Sequence, residues 1–155
     1  MSLKPRPLLV VVLLVSGLGD AAGGLWCVLD WRGAAAFMAR GIPDWEPQLR
    51  ALSMAFADDA LHQLWGNLGT ALIALGMTQL LAAFWLAKGH TAGYDLARIV
   101  GWALLVAGGL MAITVPQLSS LVTEASRGLV ILFLATWART AAEAEAPSRP
   151  DEVDW

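Results

Sequence analysis

A long apolar stretch near the C-terminus carries two charged side chains, and these constrain the fold more than any other feature. Residues 116–139 have the length and apolar character of a membrane-spanning helix, yet Glu124 and Arg127 lie three residues apart within them. An ionisable group inside a bilayer is costly unless it faces protein, water or another charge. The sequence therefore predicts partners for these two side chains elsewhere in the chain.

Composition places the chain among membrane proteins. Hydrophobic residues make up 57% of the 155 residues and charged residues only 15%, whereas about 25% of the residues in a typical soluble domain are charged. The apolar residues are concentrated in blocks long enough to cross a bilayer as helices. We predict an all-α fold in which residues 1–139 form an integral membrane four-helix bundle surrounded by lipid. The predicted spans are about 8–29, 66–87, 96–115 and 117–138.

The first apolar block has two interpretations. Residues 8–15 suit the hydrophobic part of a secretory signal, because Gly17 and Gly19 are small enough for a cleavage site. The apolar character continues to Leu29, however, and a helix over the whole block would be about 33 Å long. We therefore expect the block to be retained as the first span.

The connection between the first two spans is long and polar. Asp44 is typical of a helix N-cap, and apolar residues recur at intervals of three and four from Trp45 to Leu64. We predict an amphipathic helix at about 45–64 that lies on the membrane surface and leads into the second span. The last segment, 140–155, is acidic and contains prolines, so we expect a disordered cytoplasmic tail.

Small residues recur on one face of the second predicted span. Gly66, Thr70, Ala74, Thr78 and Ala82 repeat every four residues. A face of small residues lets a neighbouring helix come close in lipid. We expect this stripe to be a packing face of the bundle.

The Lys and Arg residues predict the orientation. With a cytoplasmic N-terminus, most of those outside the span centres lie on the cytoplasmic side, which places both termini in the cytoplasm. These are Lys4, Arg6, Lys88, Arg98, Arg139 and Arg149, against Arg32, Arg40 and Arg50 outside. The net charge of −3, with no run of basic residues, argues against a nucleic-acid partner.

The depths of the charged residues predict which of them meet. Asp20 and Arg127 each lie about 18 Å from the cytoplasmic end of their spans, so they are level. Glu124 lies one turn further out, on the same face as Arg127. We expect a buried cluster of Asp20, Arg127 and Glu124, in which two carboxylates share one guanidinium. The cluster either fixes the register of the first and fourth spans or forms a polar pocket reached from the outer leaflet.

A second polar group lies at the outer mouth, where the chain enters the second span. Asp58, Asp59 and His62 are three and four residues apart, and Asn67 lies slightly deeper. A His with carboxylates on one helical face can bind a metal or move a proton, but so few ligands without a second motif favour a solvated face. We predict no metal site and no cofactor, because Cys27 is the single cysteine and no nucleotide-binding motif is present.

Three short motifs carry a resemblance to a known family. They are the glycine-rich first span, the Leu64-Trp65-Gly66 entry to the second span followed by LIALG, and the Glu124-x-x-Arg127-Gly128 element in the fourth span. Over about residues 8–138 the chain resembles the small bacterial DoxX-like proteins, and among them the BphX-like proteins. The resemblance implies a four-span protein of the bacterial inner membrane, with some members linked to oxidoreductase complexes. The long outer connection and the acidic tail depart from the family pattern, so no catalytic residue is carried over.

Three functions follow as hypotheses, and whether the protein is an enzyme stays open. The first is an accessory or binding protein that holds a lipophilic small molecule between its helices. The second is a membrane enzyme or oxidoreductase-associated subunit for a quinone-like or sterol-like substrate, with Glu124 or Asp20 as proton donor and Arg127 stabilising negative charge. The third is a proton-coupled or ion-coupled transporter, which needs more helices from a homo-oligomer or from a partner membrane subunit.

Overall fold

The computed structural model describes residues 4–39, 58–114 and 119–145. These residues form five helices and no strand, so the all-α prediction is confirmed for this part of the chain. The helices are α1 (Pro5–Leu29), α2 (Trp31–Ala39), α3 (Asp58–Lys88), α4 (Ala92–Thr114) and α5 (Ser119–Glu145).

Three of these helices, α1, α3 and α4, are long and apolar enough to cross a membrane. Helix α5 contains most of the fourth predicted span, together with Glu124 and Arg127. The predicted interfacial helix at 45–64 is described only from Asp58, where it is continuous with the second predicted span in α3, and its earlier residues lie outside the described part of the chain. Residues 140–145 of the predicted tail extend α5, and the rest of the tail also lies outside that part.

Asp30 separates α1 from α2. Its backbone amide donates a hydrogen bond to the carbonyl of Trp26 at 2.8 Å, and its carboxylate accepts one from the amide of Gly33 at 3.0 Å. A side chain that accepts from the first free amides of a helix is an N-cap. Helix α2 was not predicted from the sequence, because its residues were assigned to the polar connection between the first two spans.

Helices α1 and α3 approach closely at two pairs of glycines. A Cβ atom on Gly24 would lie 2.5 Å from the carbonyl oxygen of Gly69, and one on Gly76 would lie 2.6 Å from that of Gly17. Neither position has room for a larger residue, because the obstructing atoms belong to the backbone. These two contacts set the register of α1 against α3.

The packing face predicted for the second span is confirmed only at Ala82, which is fully buried in the core, and was wrong for the first part of the stripe. A Cβ atom on Gly66 would meet nothing within 4 Å, and Thr70 and Ala74 are exposed. The contact is made instead by Gly69 and Gly76, which are two helical turns apart. Glycine lets two backbones approach more closely than alanine or threonine does, so the glycine pair determines which face of α3 meets α1.

A tight turn joins α3 to α4. Gly89 has a φ of +89°, its amide donates to the carbonyl of Leu86 at 3.1 Å, and the amide of His90 donates to the carbonyl of Trp85 at 2.9 Å. This pair of hydrogen bonds is the Schellman motif that ends many helices at a glycine. Arg6 of α1 also donates to the carbonyl of Leu86, at 2.8 Å, so the start of α1 is attached to the end of α3.

The four long helices share one apolar core, with α1 and α4 each packed against both α3 and α5. Helices α4 and α5 meet at glycines, since a Cβ atom on Gly128 would lie 2.7 Å from the carbonyl oxygen of Gly101. The core fills the half of the bundle that contains the start of α1, and Glu124 and Arg127 of α5 lie in the other half. The core residues are Leu9, Leu13, Ala82, Ala83, Leu86, Tyr94, Ala97, Val100, Leu104, Ile131, Leu134, Ala135 and Ala138.

Candidate functional site

The carboxylate of Asp20 is the centre of a buried polar cluster between three helices. Asp20 is 7% exposed and lies on the buried face of α1. Its Oδ1 and Oδ2 atoms accept hydrogen bonds from Nη1 and Nη2 of Arg127 on α5, at 2.8 and 3.1 Å. Two parallel bonds between a guanidinium and a carboxylate fix both distance and orientation. The predicted neighbours Asp20 and Arg127 are therefore in direct contact.

Glu124 also contacts Arg127, and it lies on the accessible side of the cluster. Its carboxylate forms an ion pair with Nη2 of Arg127 one turn along the same helix. The exposed fraction of the side chain falls from 40% at Glu124 to 25% at Arg127 and 8% at Asp20. A molecule that approaches the cluster therefore meets Glu124 first.

Gln79 is a third partner of the cluster, which the sequence analysis missed. It is fully buried on α3, and its Nε2 atom donates a hydrogen bond to Oδ2 of Asp20 at 2.5 Å. It fits beside Gly17 of α1, where a Cβ atom would lie 3.1 Å from the Cβ of Gln79. The sequence did contain a signal, because an amide side chain inside an apolar span often bonds to another helix.

Within the described residues, three buried side-chain atoms have no hydrogen-bond partner: Oγ of Ser16, Oε1 of Gln79 and Nε of Arg127. Ser16 lies one turn before Asp20 on α1, and the other two residues bind Asp20 directly. Buried polar atoms are nearly always paired. The carboxylate of Asp20 therefore accepts hydrogen bonds from its neighbours, and the residues around it can still form further hydrogen bonds.

An apolar groove lies between α1 and α5, nearer than the cluster to the start of α1. It has a volume of about 430 Å³ and is lined on α1 by Leu8 and Val12. On α1 these two residues precede Ser16 and Asp20 in steps of four, and on α5 the lining begins at Leu129, two residues after Arg127. The described lining ends at Val12 on α1, so the groove and the cluster lie at different levels along both helices. The lining residues on α5 are Leu129, Val130, Phe133 and Leu134.

The outer-mouth residues are separate from the cluster. Gly24 of α1 contacts Gly69 of α3, and the two helices are antiparallel. His62 and Asn67 therefore lie on one side of this contact along the helices, and Asp20 lies on the other side. Asp59, His62 and Asn67 are exposed, and Asp58 is the first described residue of α3. Within the described residues, no group of three or more His, Cys, Asp or Glu side chains is placed to hold a metal ion.

A second ion-pair group lies at the opposite end of the assembly. Arg139 pairs with Asp95 of α4 at 2.7 Å and with Glu143 of α5 at 2.9 Å, and all three side chains are well exposed. The hydrogen bond to Glu143 and the charge of Asp95 raise the pKa of Arg139 above its ordinary value. The group joins α4 to α5 at an exposed surface.

Comparison with known proteins adds no relative. No protein-family model, curated protein or solved structure matches this chain.

Proposed function

We propose that this chain is a four-span protein of the bacterial inner membrane, with both termini in the cytoplasm, that binds a lipophilic small molecule as an accessory or binding protein. The apolar character of α1, α3 and α4 supports the membrane location. The packing of α5 into the same core supports a fourth span. The motifs around Leu64-Trp65-Gly66 and Glu124-x-x-Arg127-Gly128 support a place among the DoxX-like proteins.

The observation that carries the binding function is the set of unpaired atoms on Ser16, Gln79 and Arg127. A purely structural ion pair gains most when all of its donors and acceptors are satisfied, because an unpaired buried polar atom costs about 1–3 kcal/mol. Here the carboxylate of Asp20 has hydrogen-bond partners, whereas Ser16, Gln79 and Arg127 each have one buried polar atom without a partner. That pattern favours a polar pocket that receives a ligand group over a closed clamp.

The binding function is tested by looking for a molecule that co-purifies with the protein. We expect native mass spectrometry of the wild-type protein, released from mild detergent, to show a bound non-protein species. The species should be lost from Gln79→Leu, because this substitution removes one pocket acceptor. It should remain on Thr78→Val, the matched control, since the hydroxyl of Thr78 bonds only to the carbonyl of Ala74 within its own helix. A wild-type protein that carries no species, also after incubation with extracted membrane lipids, would rule out the binding function.

A further inference from the structure

A cavity lies at the end of the bundle where α1 begins and α5 ends. Its volume of about 570 Å³ is within the range of roughly 300–1,000 Å³ usual for small-molecule sites, and all four long helices contribute to its wall. The alanines Ala138, Ala141 and Ala142 of α5 line it together with Pro5 and Pro7, the two prolines that begin α1. The space exists because alanine has the smallest side chain with a Cβ atom.

Three charged residues line this cavity. Lys4 and Glu145 are exposed, and within the described residues neither forms a hydrogen bond or an ion pair. Arg6 is held in place, because Nε and Nη2 of its guanidinium donate hydrogen bonds to the carbonyl of Leu86 at the end of α3. Its Nη1 atom forms no hydrogen bond to the described part of the chain and has two N–H donors. The cavity therefore offers two cationic groups and one carboxylate to a ligand.

A buried hydroxyl adds a fourth polar group to the cavity. Tyr94 of α4 is 6% exposed and lines the cavity, and its hydroxyl forms no hydrogen bond to any described residue. The hydroxyl of a buried tyrosine usually has a hydrogen-bond partner. A ligand oxygen bound in the cavity would supply one.

The rest of the wall is apolar and continues onto the outer surface of α1. Val10 and Val11 belong to it, and Val11 is 54% exposed. Helix α1 has 25 residues and is about 37 Å long, whereas the hydrocarbon core of a bilayer is about 30 Å thick. Its first residues therefore reach the level of the lipid head groups, where Trp137, 40% exposed at the same end of the bundle, is also favoured. A molecule with a polar head and an apolar chain fits this wall.

The charges around the cavity select among the head groups of membrane lipids. A phosphodiester is the anion that phospholipids share, and Lys and Arg side chains between membrane helices bind such groups. A head group with no cation, such as that of phosphatidylglycerol, leaves Glu145 without a partner. The trimethylammonium of phosphatidylcholine has the charge but no N–H to donate. A primary ammonium supplies both, so a zwitterionic head group with a phosphodiester and a primary ammonium complements all three charged residues.

We propose that this cavity binds a phospholipid of the adjacent leaflet, which is the cytoplasmic one in the proposed orientation, and that its head group carries a phosphodiester and a primary ammonium. The phosphodiester lies beside Lys4, Arg6 and the hydroxyl of Tyr94. The ammonium lies beside Glu145, and one acyl chain follows the apolar outer surface of α1.

This site is separate from the polar cluster. Lys4 lies about 24 Å from Asp20 along α1, at ~1.5 Å per residue. The inference rests on the membrane location given under the proposed function, but it does not depend on which molecule binds at the polar cluster.

The test uses the full-length protein in mild detergent with an equimolar mixture of three phospholipids that have the same acyl chains. They are phosphatidylethanolamine, phosphatidylglycerol and phosphatidylcholine, and native mass spectrometry measures the adducts of each. We expect the phosphatidylethanolamine adduct to exceed each of the others about fivefold, as expected for one additional charged contact at a membrane surface. Glycerophosphoethanolamine, which has the same head group without acyl chains, should not compete at equal concentration.

Charge variants then assign the binding to the cavity, and they use exposed residues so that the fold is preserved. Glu145→Gln should abolish the preference for phosphatidylethanolamine, and Glu145→Lys should make phosphatidylglycerol the preferred lipid. Lys4→Gln should weaken the binding of all three lipids about fivefold. Lys88→Gln is the matched control and should bind like the wild type, because Lys88 lies at the same end of the bundle, beside Phe84 and outside the cavity.

Two tryptophan variants test the cavity itself. Ala142→Trp should block most phospholipid binding by filling the space. Ala144→Trp should bind like the wild type, because Ala144 is exposed on the same helix outside the cavity. Gln79→Leu, which tests the polar cluster, should also keep its phospholipid adduct.

Several results would overturn the inference. Equal amounts of the phosphatidylethanolamine and phosphatidylglycerol adducts on the wild type would do so, as would a preference that survives Glu145→Lys. Equal losses on Lys4→Gln and Lys88→Gln would mean that any surface charge attracts the lipids. A protein dimer in place of the lipid adduct, if Ala142→Trp dissociates it, would mean that a second copy of the chain fills the cavity.

The inference and the proposed function fail separately. A phospholipid that is kept on Gln79→Leu and loses its preference on Glu145→Gln supports this site, whatever molecule binds at the polar cluster. A species that is lost from Gln79→Leu, with no selective phospholipid adduct on the wild type, supports the proposed function and overturns this inference.

Discussion

Asp20 and Arg127 are 107 positions apart in the sequence, yet their side chains form two hydrogen bonds, at 2.8 and 3.1 Å, between α1 and α5. This contact joins α1 to α5, and an apolar groove lies between the same two helices. The same pair therefore holds the two helices together. The following predictions test this contact, the packing around it and the proposed topology.

Removal of one partner of the ion pair should strongly destabilise the protein. Arg127→Gln leaves the carboxylate of Asp20 uncompensated in a buried position, which costs about 3–5 kcal/mol. Asp20→Asn should cost less than Arg127→Gln but more than a surface substitution, because Arg127 keeps its ion pair with Glu124. Glu124→Gln is the control, since its side chain is 40% exposed and its pair with Arg127 should contribute about 1 kcal/mol or less. The free energy of unfolding in mixed micelles of detergent and dodecyl sulfate measures the difference. Equal effects at Glu124 and Asp20 would show that Asp20 is not the buried centre.

The double variant of Asp20→Asn with Arg127→Gln should lose less free energy than the sum of the two single variants. Once one charge is removed, removal of the other no longer leaves an unpaired ion. A double-mutant cycle on the same unfolding transition gives the coupling energy. Strict additivity would contradict the contact between the two side chains.

Gln79→Leu should destabilise the protein by about 1–2 kcal/mol, because Asp20 loses one of its three hydrogen bonds. Thr78→Val should change the unfolding free energy much less, since Thr78 bonds only within its own helix. A Gln79→Leu protein as stable as the wild type would mean that Arg127 alone satisfies Asp20.

Adjacent glycines of α1 should respond oppositely to alanine. At Gly24 a Cβ atom would lie 2.5 Å from the carbonyl oxygen of Gly69, so Gly24→Ala must push α1 and α3 apart and should cost about 1–3 kcal/mol. At Gly23 a Cβ atom would meet nothing within 4 Å, so Gly23→Ala should be neutral or stabilise the helix by up to about 1 kcal/mol. Thermal unfolding in detergent compares the two, and the opposite order would disprove the register of α1 against α3.

The proposed orientation predicts opposite labelling of the two histidine positions. His62 and His90 are exposed near the two ends of α3, whose 31 residues are longer than the roughly 20 needed to cross a bilayer. In a Cys27→Ala background, His62→Cys should react with an impermeant maleimide added to intact spheroplasts. His90→Cys should react only after the membrane is opened. Labelling of both positions from outside would refute the four-span topology.

The sequence was sufficient for the helical class and for the level at which charged residues meet. Apolar blocks of the right length predicted the positions of the long helices, and counting residues along them placed Asp20 level with Arg127. Such counting works because a helix rises by a constant ~1.5 Å per residue. The spacing of Glu124 and Arg127 likewise predicted that they share a helix face.

Several features were decided only by the tertiary structure. They include the role of Asp30 as the cap of α2, Gln79 as the second residue that binds Asp20, the glycine pair through which α3 meets α1, and the apolar groove between α1 and α5. Each depends on how far one helix is rotated about its axis relative to its neighbours, or on where the chain turns between helices. Residue spacing determines height along a helix, but side-chain packing between helices determines which face turns inward. For that reason the sequence alone predicted the level of the polar cluster but not all of its members, nor the atoms that remain unpaired within it.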